Sequence, residues 1–148
     1  MEHPKDIGDR TQLAVMLALR DAGYAVLVPF GENTRYDLVI DDGSRLERVQ
    51  SKTGRLRKGA VEFKTCSSYA HHSNPAATTR DYLGEVEYFA IHYPQTTSGV
   101  YLVPIDDIPV KWHCRLRVDP ARNQQRKGIR LAANYLVAEV TVPRYCRT

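Results

Sequence analysis

Long hydrophobic segments are lacking from this sequence of 148 residues. The apolar runs at 25–30 and 100–104 have the length of strands, whereas a helix needs about 20 apolar residues to cross a bilayer. The first nine residues carry charges and lack the hydrophobic region of a secretory signal. The sequence therefore predicts a protein without a membrane span, and a cytoplasmic location by default.

Cysteine is also scarce, with three residues that are odd in number and widely separated: Cys66, Cys114 and Cys146. This pattern excludes the paired spacing of a zinc site or of a disulfide framework. We interpret the three side chains as reduced thiols that are mostly buried. A chain of this length buries roughly 68–70% of its unfolded surface and needs no disulfide or structural metal to fold.

Neither sign of charge is in large excess, because 21 Lys and Arg residues face 17 Asp and Glu residues. The net charge of +4 permits a polyanionic partner but does not require one. The sequence also lacks internal repeats, low-complexity tracts and long linkers. We therefore expect a single domain over residues 1–148.

Apolar periodicity predicts a helix at 7–22, which Gly23 would end, and a second helix at 124–137. Six β-rich segments lie between them, the first of which reads as a short buried strand. Their ranges are 25–29, 36–41, 46–53, 61–65, 88–93 and 100–103. The segment 66–82 has no periodicity and reads as a long loop. This order of elements predicts an α/β or α+β fold.

The Asp-Gly pair at 42–43 is a strong hairpin signal between two of these strands. The hairpin places Asp37 opposite Arg48, or opposite Gln50 if a bulge shifts the pairing. Strand alternation puts Gln50 and Lys52 on the same face. A carboxylate, an amide oxygen and an ammonium would then meet, which suits a hard divalent cation beside a positive charge. Ordinary polar strand faces also produce this pattern, so it is not specific alone.

Four segments together carry a more specific signal: Gly8-Asp9, 29–33, 35–39 and 48–55. They resemble the PD-(D/E)XK nuclease superfamily, above all its intron-encoded homing endonucleases, with archaeal Holliday junction resolvases more distant. The resemblance extends from Gly8 to about Pro104. It implies a restriction-endonuclease-like core, in which helices flank a central mixed β-sheet. It also implies phosphodiester hydrolysis that depends on Mg²⁺, for which Mn²⁺ can substitute.

The resemblance assigns roles to four neighbouring positions. Asp37 matches the metal-binding Asp of the family, Gln50 matches the Asp or Glu of the second half-motif, and Lys52 matches its Lys. The main-chain carbonyl of Ser51 would be a further metal ligand. These assignments imply a catalytic group of Asp37, Gln50 and Lys52.

Two amides depart from the family pattern. Gln50 replaces a carboxylate, as it does in the homing branch, and Gln12 stands on the first helix where many members carry Glu. Each replacement removes one negative charge from the site. Asp9, one turn before Gln12, and Glu62 on the following strand are the carboxylates that could compensate.

Two basic clusters are candidates for DNA binding. Arg55, Arg57 and Lys58 follow Lys52 directly, in what reads as a turn, and could contact phosphates. The second cluster would lie on the closing helix, with Arg126 and Arg130 one turn apart. Its members are Asn123, Gln124, Arg126, Lys127 and Arg130, of which the amides could contact base edges.

The sequence thus predicts a metal-dependent DNA endonuclease. The alternative is a DNA-binding protein of the same fold that has lost cleavage, because two amides replace acids. A protein-interaction domain would leave the grouping of Asp37, Gln50 and Lys52 unexplained. Cutting both strands with one small site per chain favours a homodimer or homotetramer.

Overall fold

The computed structural model describes residues 1–68, 79–95, 99–109, 112–119, 123, 127–138 and 140. One α-helix and ten strands occur in this part of the chain. They are α1 (Pro4–Asp21), β1 (Ala25–Leu27), β2 (Leu38–Asp41), β3 (Leu46–Thr53), β4 (Arg55–Arg57), β5 (Ala60–Lys64), β6 (Ser67–Ser68), β7 (Thr79–Arg80), β8 (Tyr88–His92), β9 (Val100–Pro104) and β10 (His113–Arg117). Two 3₁₀ helices span Ile105–Asp107 and Ala132–Tyr135. None of the described helices has the length and apolarity that a membrane span requires.

Five strands form a mixed sheet in the order β1-β2-β3-β8-β9. Only β3 and β8 run parallel to each other; the other neighbours are antiparallel. Helix α1 packs on one face of this sheet, where Val15 and Leu19 join Leu38 and Val49 in a buried cluster. Leucine, alanine and methionine on α1 favour the helix, and Pro4 occupies its first turn. The mixed sheet predicted from the family resemblance is confirmed.

A second, three-stranded sheet in the order β10-β5-β4 lies over the opposite face. Val61, Phe63 and Leu116 from this sheet share a buried cluster with Phe89 and Ile91 of β8. Apolar residues alternate along β5 and β10, so one face of the second sheet contributes to the core and the other remains outside. In the described residues, this face of the main sheet is therefore covered by strands where helices were expected.

The strand predictions at 36–41, 46–53, 61–65, 88–93 and 100–103 are confirmed, with small shifts at their ends. The helix predicted at 7–22 begins earlier, at Pro4, because the His3 ring accepts a hydrogen bond from the Lys5 N–H and caps it. The Gly8-Asp9 pair therefore lies inside α1. Gly23 has a φ of 105° and ends the helix as predicted.

The closing helix predicted at 124–137 is wrong where the structure describes it. Residues 132–135 form a short 3₁₀ helix, and Gly128 has a φ of 75°. Leu131 and Leu136 instead form isolated bridges with Arg117 and Tyr101, so their backbone pairs with strands. Residues 124–126 lie outside the described part of the chain.

Three further predictions need correction. Strand β1 is not buried, because it forms the edge of the main sheet and only its middle residue is partly covered. The proposed loop 66–82 contains the paired strands β6 and β7, while residues 69–78 are not described. The proposed turn after Lys52 contains strand β4.

Cys114 is a buried free thiol and Cys66 a partly buried one, whereas Cys146 lies outside the described residues.

Candidate active site

Asp37 lies directly before β2, beside the middle of β3. The pairing of β2 with β3 ends at Leu38 and Val49, and the Asp37 N–H donates a hydrogen bond of 2.9 Å to the Val49 carbonyl. Asp37 therefore lies beside the part of β3 that contains Gln50 and not beside Arg48. The pairing depends on the loop, since Asp41 pairs with Leu46 and leaves four residues between the strands. The Ser51 N–H donates a hydrogen bond of 2.9 Å to Asp37 Oδ2 and fixes the carboxylate at this position.

Lys52 reaches the same region from β3. Its Nζ lies 4.7 Å from the centre of the Tyr82 ring and 5.5 Å from the centre of the Phe89 ring. Both rings can attract the ammonium through their electron-rich faces. Burial nevertheless lowers the pKa of Lys52 to about 8, an effect that the negative charge of Asp37 partly opposes.

Asp37 shows the converse effect. Burial raises the pKa of its carboxyl group, while the Ser51 N–H and the charge of Lys52 favour the ionised form and lower it. The opposite charges of the two residues therefore favour each other's ionised form in a partly dehydrated environment. Such perturbed groups in close association are typical of catalytic sites, although structural ion pairs produce them too.

Arg35 connects this pair to segments that are distant in sequence. Its guanidinium forms an ion pair with Glu85 and lies 4.1 Å above the Tyr82 ring. It also donates hydrogen bonds of 2.8 Å to Ser67 Oγ and 2.6 Å to the Asp81 carbonyl. Tyr82 is only 5% exposed. Arg35 thus holds β6 and the residues before β8 against the chain that enters β2.

Helix α1 contributes Gln12 to the border of the site. The Gln12 amide nitrogen lies 3.5 Å from the backbone carbonyl oxygen of Asp37. One residue earlier, Thr11 is buried and its hydroxyl lies 2.6 Å from the hydroxyl of Thr53 on β3. Asp9 is exposed one turn toward the start of α1. The structure therefore brings Gln12 to Asp37 and leaves Asp9 at the surface.

Glu62 lies on a different surface. It alternates with the buried residues Val61 and Phe63, so it points to the outer face of the second sheet. Its carboxylate is 3.8 Å from Arg115 Nε. Within the described ranges, no group of three or more His, Cys, Asp or Glu side chains is arranged to hold a metal ion. The contacts that the structure shows at Asp37 are with the main chain of Val49 and Ser51 and with the Gln12 amide.

The predicted DNA-binding residues divide into two sets. Arg55, Arg57 and Lys58 are exposed at and after β4. In the second set, the Arg130 guanidinium donates a hydrogen bond of 2.8 Å to the Asp107 carbonyl. Arg130 does not lie in a helix and directly precedes Leu131, which forms a β-bridge with Arg117. Asn123 and Lys127 are exposed, while Gln124 and Arg126 lie outside the described residues.

Sequence reasoning assigned no site role to Arg35, Tyr82, Glu85 or Phe89. Arg35 lies within the segment 35–39 that carries the family resemblance. Its position two residues before Asp37 could therefore have indicated a role in the site. Tyr82 ends the aperiodic segment 66–82 and Glu85 follows it, and only the folded chain shows that Tyr82 contacts Lys52 and that Glu85 contacts Arg35.

Residues 2–138 match the sequence profile of the PD-(D/E)XK endonuclease family. A bacterial homing endonuclease, I-Ssp6803I, has a similar structure, with a TM-score of 0.73 and 22% identity over 90% of this chain and 88% of that one. Hjc, a Holliday junction resolvase from Archaeoglobus fulgidus, gives a TM-score of 0.43 and 17% identity over 74% of this chain and 83% of that one. No curated protein is significantly similar to this sequence. Because the family profile extends over most of its length, the chain belongs to the PD-(D/E)XK endonuclease family.

Proposed function

We propose that this protein is a metal-dependent DNA endonuclease, similar to homing endonucleases, whose catalytic residues are Asp37, Gln50 and Lys52. The observation that carries the proposal is the position of Asp37 and Lys52 in one partly buried region, where the charge of each residue favours the ionised form of the other. Asp37 is held by the Ser51 N–H at 2.9 Å, and burial brings the pKa of Lys52 to about 8. A carboxylate and a cation so arranged suit phosphodiester hydrolysis.

The donor atoms at this position fit Mg²⁺, with Mn²⁺ as a substitute. Asp37 supplies a carboxylate, and Gln50 supplies an amide oxygen. The N–H and C=O of a strand residue point to the same side of the strand, so the Ser51 carbonyl is expected on the Asp37 side. Mg²⁺ usually keeps several waters and takes only one or two carboxylates from a protein, so this sparse set is sufficient.

Bound Mg²⁺ would polarise the scissile phosphate and lower the pKa of the attacking water. Lys52 would donate hydrogen bonds to that water or to the charge that develops on the phosphoryl oxygens. A pKa of about 8 also allows Lys52 to exchange a proton near neutral pH. Asp37 would keep the ammonium close to the reacting group through its charge.

DNA would be held by basic residues close to the site, of which Arg55, Arg57 and Lys58 follow Lys52 directly. In a second candidate function, the protein binds DNA without cutting it. That function is favoured by Gln12 and Gln50, which stand where the family usually has acids. Cutting of both strands would require a homodimer or homotetramer, since each chain supplies one site.

The test is cleavage of supercoiled plasmid with Mg²⁺ and with chelator. Asp37→Ala and Lys52→Ala should each reduce nicking by about 100-fold or more, because each removes a charged group from the reacting centre. Ser51→Ala is the matched control, since it keeps the main-chain carbonyl and removes a buried hydroxyl that has no hydrogen-bond partner in the described structure. Salt-dependent DNA binding without Mg²⁺-dependent cutting would favour the second function. Nicking by either charge variant at the wild-type rate would contradict both the site and the mechanism.

A further inference from the structure

The outer face of the second sheet carries an unusual density of positive charge. On β4, Arg55 and Arg57 alternate with Leu56, which pairs with the buried Val61 and so lies on the core side of the strand, although it is 48% exposed at the edge of the sheet. On β5, Glu62 and Lys64 point outward. The outward residues of β10 are His113, Arg115 and Arg117. We call this surface the basic sheet face, defined by Arg55, Arg57, Glu62, Lys64, His113, Arg115 and Arg117.

Strand register brings these charges into rows. Arg55 and Arg115 both pair with Glu62, one from each side of β5. Arg57 and Arg117 both pair with Ala60 in the same way. Adjacent strands are about 4.8 Å apart, and alternate residues along a strand are about 7 Å apart. The face therefore presents a regular grid of guanidinium groups.

The arginines of β10 are held in place across this grid. Arg115 Nη2 donates to the Arg57 carbonyl at 2.9 Å, and Arg117 Nη1 donates to the Lys58 carbonyl at 3.0 Å. Because β5 lies between β10 and β4, both side chains extend over β5. Ala60 is consequently only 2% exposed, although it belongs to the outer face. The charges of Arg115 and Arg117 are thus positioned by contacts with the main chain of neighbouring segments.

The face has a large excess of positive charge. Five Arg and Lys residues share it with one carboxylate, Glu62, while Lys58 and Asp119 at its border offset each other. This local excess of four equals the net charge of the whole chain, +4. The ion pair of Glu62 with Arg115 is loose, at 3.8 Å, and leaves the Arg115 side chain 46% exposed. A dense polyanion is the partner that such a surface fits.

The basic sheet face is also continuous with the candidate active site. Arg55 is three residues after Lys52, so their Cα atoms are at most about 11 Å apart. At the other end of the face, Lys64 is close enough for its charge to lower the pKa of Lys52. We propose that this face binds the phosphate backbone of duplex DNA, with Arg115 and Arg117 as contacts beside Arg55 and Arg57. The proposal rests on the proposed function, because it assigns a binding surface to the same substrate.

The test is a salt series of DNA binding with Arg115→Gln/Arg117→Gln, measured by fluorescence anisotropy in chelator on two duplexes of unrelated sequence. Each lost phosphate contact lowers the slope of log K against log salt by about 0.9, so the double variant should lose about 1.8. Binding should weaken several-fold on both duplexes alike, because phosphate contacts carry no sequence information. Arg20→Gln/Arg45→Gln is the matched control, which removes two exposed arginines from α1 and the β2–β3 loop.

A second variant changes the face in the opposite direction. Glu62→Gln removes its one carboxylate and should tighten binding to both duplexes, a gain that a merely destabilised protein would not show. An unchanged slope in the arginine variant, or no gain from Glu62→Gln, would overturn the proposal. A change of molecular mass in the arginine variant with unchanged DNA binding would show an interface between copies of the chain instead. Failure of the proposed function is distinguishable, because the wild-type protein itself would then show no salt-dependent DNA binding or no cutting.

Discussion

The charges of Asp37 and Lys52 depend on each other. Burial makes ionisation of both side chains less favourable, so the pKa of Asp37 rises and that of Lys52 falls to about 8. Each charge then partly offsets the desolvation of the other. With amides at Gln50 and Gln12, Asp37 is the carboxylate that balances the ammonium. A divalent cation that binds here therefore approaches one negative and one positive group, which limits its affinity.

This charge balance makes Gln50 the most informative position for metal binding. Gln50→Glu should lower the Mg²⁺ concentration needed for half-maximal cleavage, because it adds a second carboxylate to the donor set. Gln50→Leu keeps the approximate size but removes the oxygen, and should weaken metal affinity or activity by about 10- to 100-fold. A Mg²⁺ titration of plasmid nicking measures both effects. Wild-type activity in the Leu variant would exclude Gln50 from the site.

Lys52 should also affect stability in a way that depends on pH. Its pKa is lowered from 10.5 to about 8 in the folded state, so the unfolded chain binds more protons between these values. The free energy of unfolding therefore rises with pH between about 8 and 10.5. Below about pH 8, the burial of the charged Lys52 side chain lowers the free energy of unfolding by its full amount. Lys52→Met should stabilise the protein at pH 7 by about 1–2 kcal/mol. This is less than the pKa shift alone implies, at about 1.4 kcal/mol per pKa unit, because the substitution also removes the positive charge that favours ionised Asp37.

Urea unfolding in chelator at pH 7 and near pH 10 measures this effect. The advantage of Lys52→Met should shrink at the higher pH, where the wild-type lysine is largely neutral. Lys5→Met removes an exposed lysine of α1 and serves as the control, with little change at either pH. A Lys52→Met protein that is less stable than the wild type at pH 7 would mean that the ammonium is net stabilising.

At the scale of elements, β3 joins the local and the distant parts of the fold. It pairs with β2 through a short loop and runs parallel to β8, which comes much later in the chain. The loop signal at 42–43 made the β2–β3 pair and its site residues predictable from sequence. The residue opposite Asp37 could not be predicted, because it depends on the length of the loop. A two-residue loop would place Arg48 opposite Asp37, whereas the observed four-residue loop brings Asp37 to Gln50.

Strands β4 and β10 were missed although both alternate. The sequence of β4 is RLR and that of β10 is HCRLR, so each strand has only one or two apolar residues between basic ones. Such a short pattern does not distinguish a strand from an exposed turn. They form strands because β5 pairs with both: β4 across the two-residue turn Lys58-Gly59, and β10 from a distant part of the sequence. The predicted helix at the end of the chain failed for a related reason, since Leu131 and Leu136 bond to strands instead. Local propensity could not reveal these partners.

The connection between β3 and β4 contains a glycine that packing requires. A Cβ on Gly54 would lie 2.5 Å from Val61 Cγ1 and 3.1 Å from Ile91 Cγ2, in the core between the two sheets. Gly54→Ala should therefore destabilise the protein by about 1–3 kcal/mol through overpacking. The measurement is chemical unfolding of the purified variant.

Gly8→Ala provides the control for this change. Gly8 lies within α1, and nothing is found within 4 Å of a Cβ added there. The same substitution should stabilise the protein at Gly8 by about 0.5–1 kcal/mol, since alanine is the better helix former. Equal stability of the Gly54→Ala protein and the wild type would show that the two sheets can separate at this point without cost.

At the scale of the molecule, the candidate site lies where the two sheets meet. Asp37 directly precedes β2 and Lys52 lies on β3 of the main sheet. Arg35 also precedes β2, whereas the Tyr82 ring that both cations approach comes from the segment between β7 and β8. The hairpin half could be predicted because its residues are close in sequence. The part that Tyr82 contributes could not be predicted, because Tyr82 lies at the end of a segment without periodicity and reaches Lys52 only through the packing of the whole chain.

Cutting of both DNA strands would depend on how many copies of the chain assemble. One site per chain predicts that the protein assembles, with a mass in solution of two or four times 16.8 kDa. Leu13 and Leu17, 66% and 64% exposed, lie one turn apart on α1, away from the buried Val15 and Leu19. We predict that this apolar surface contributes to the contact between copies.

Light scattering after gel filtration should therefore give a multiple of the chain mass for the wild type. It should give the mass of a single chain for Leu13→Glu/Leu17→Glu, because burial of two carboxylates in an apolar contact is unfavourable. That variant should nick supercoiled plasmid and no longer linearise it in one binding event. Leu46→Glu, at the exposed start of β3, is the control and should keep the wild-type mass. A wild-type protein that is a single chain and still linearises plasmid in one event would contradict assembly as the means of cutting both strands.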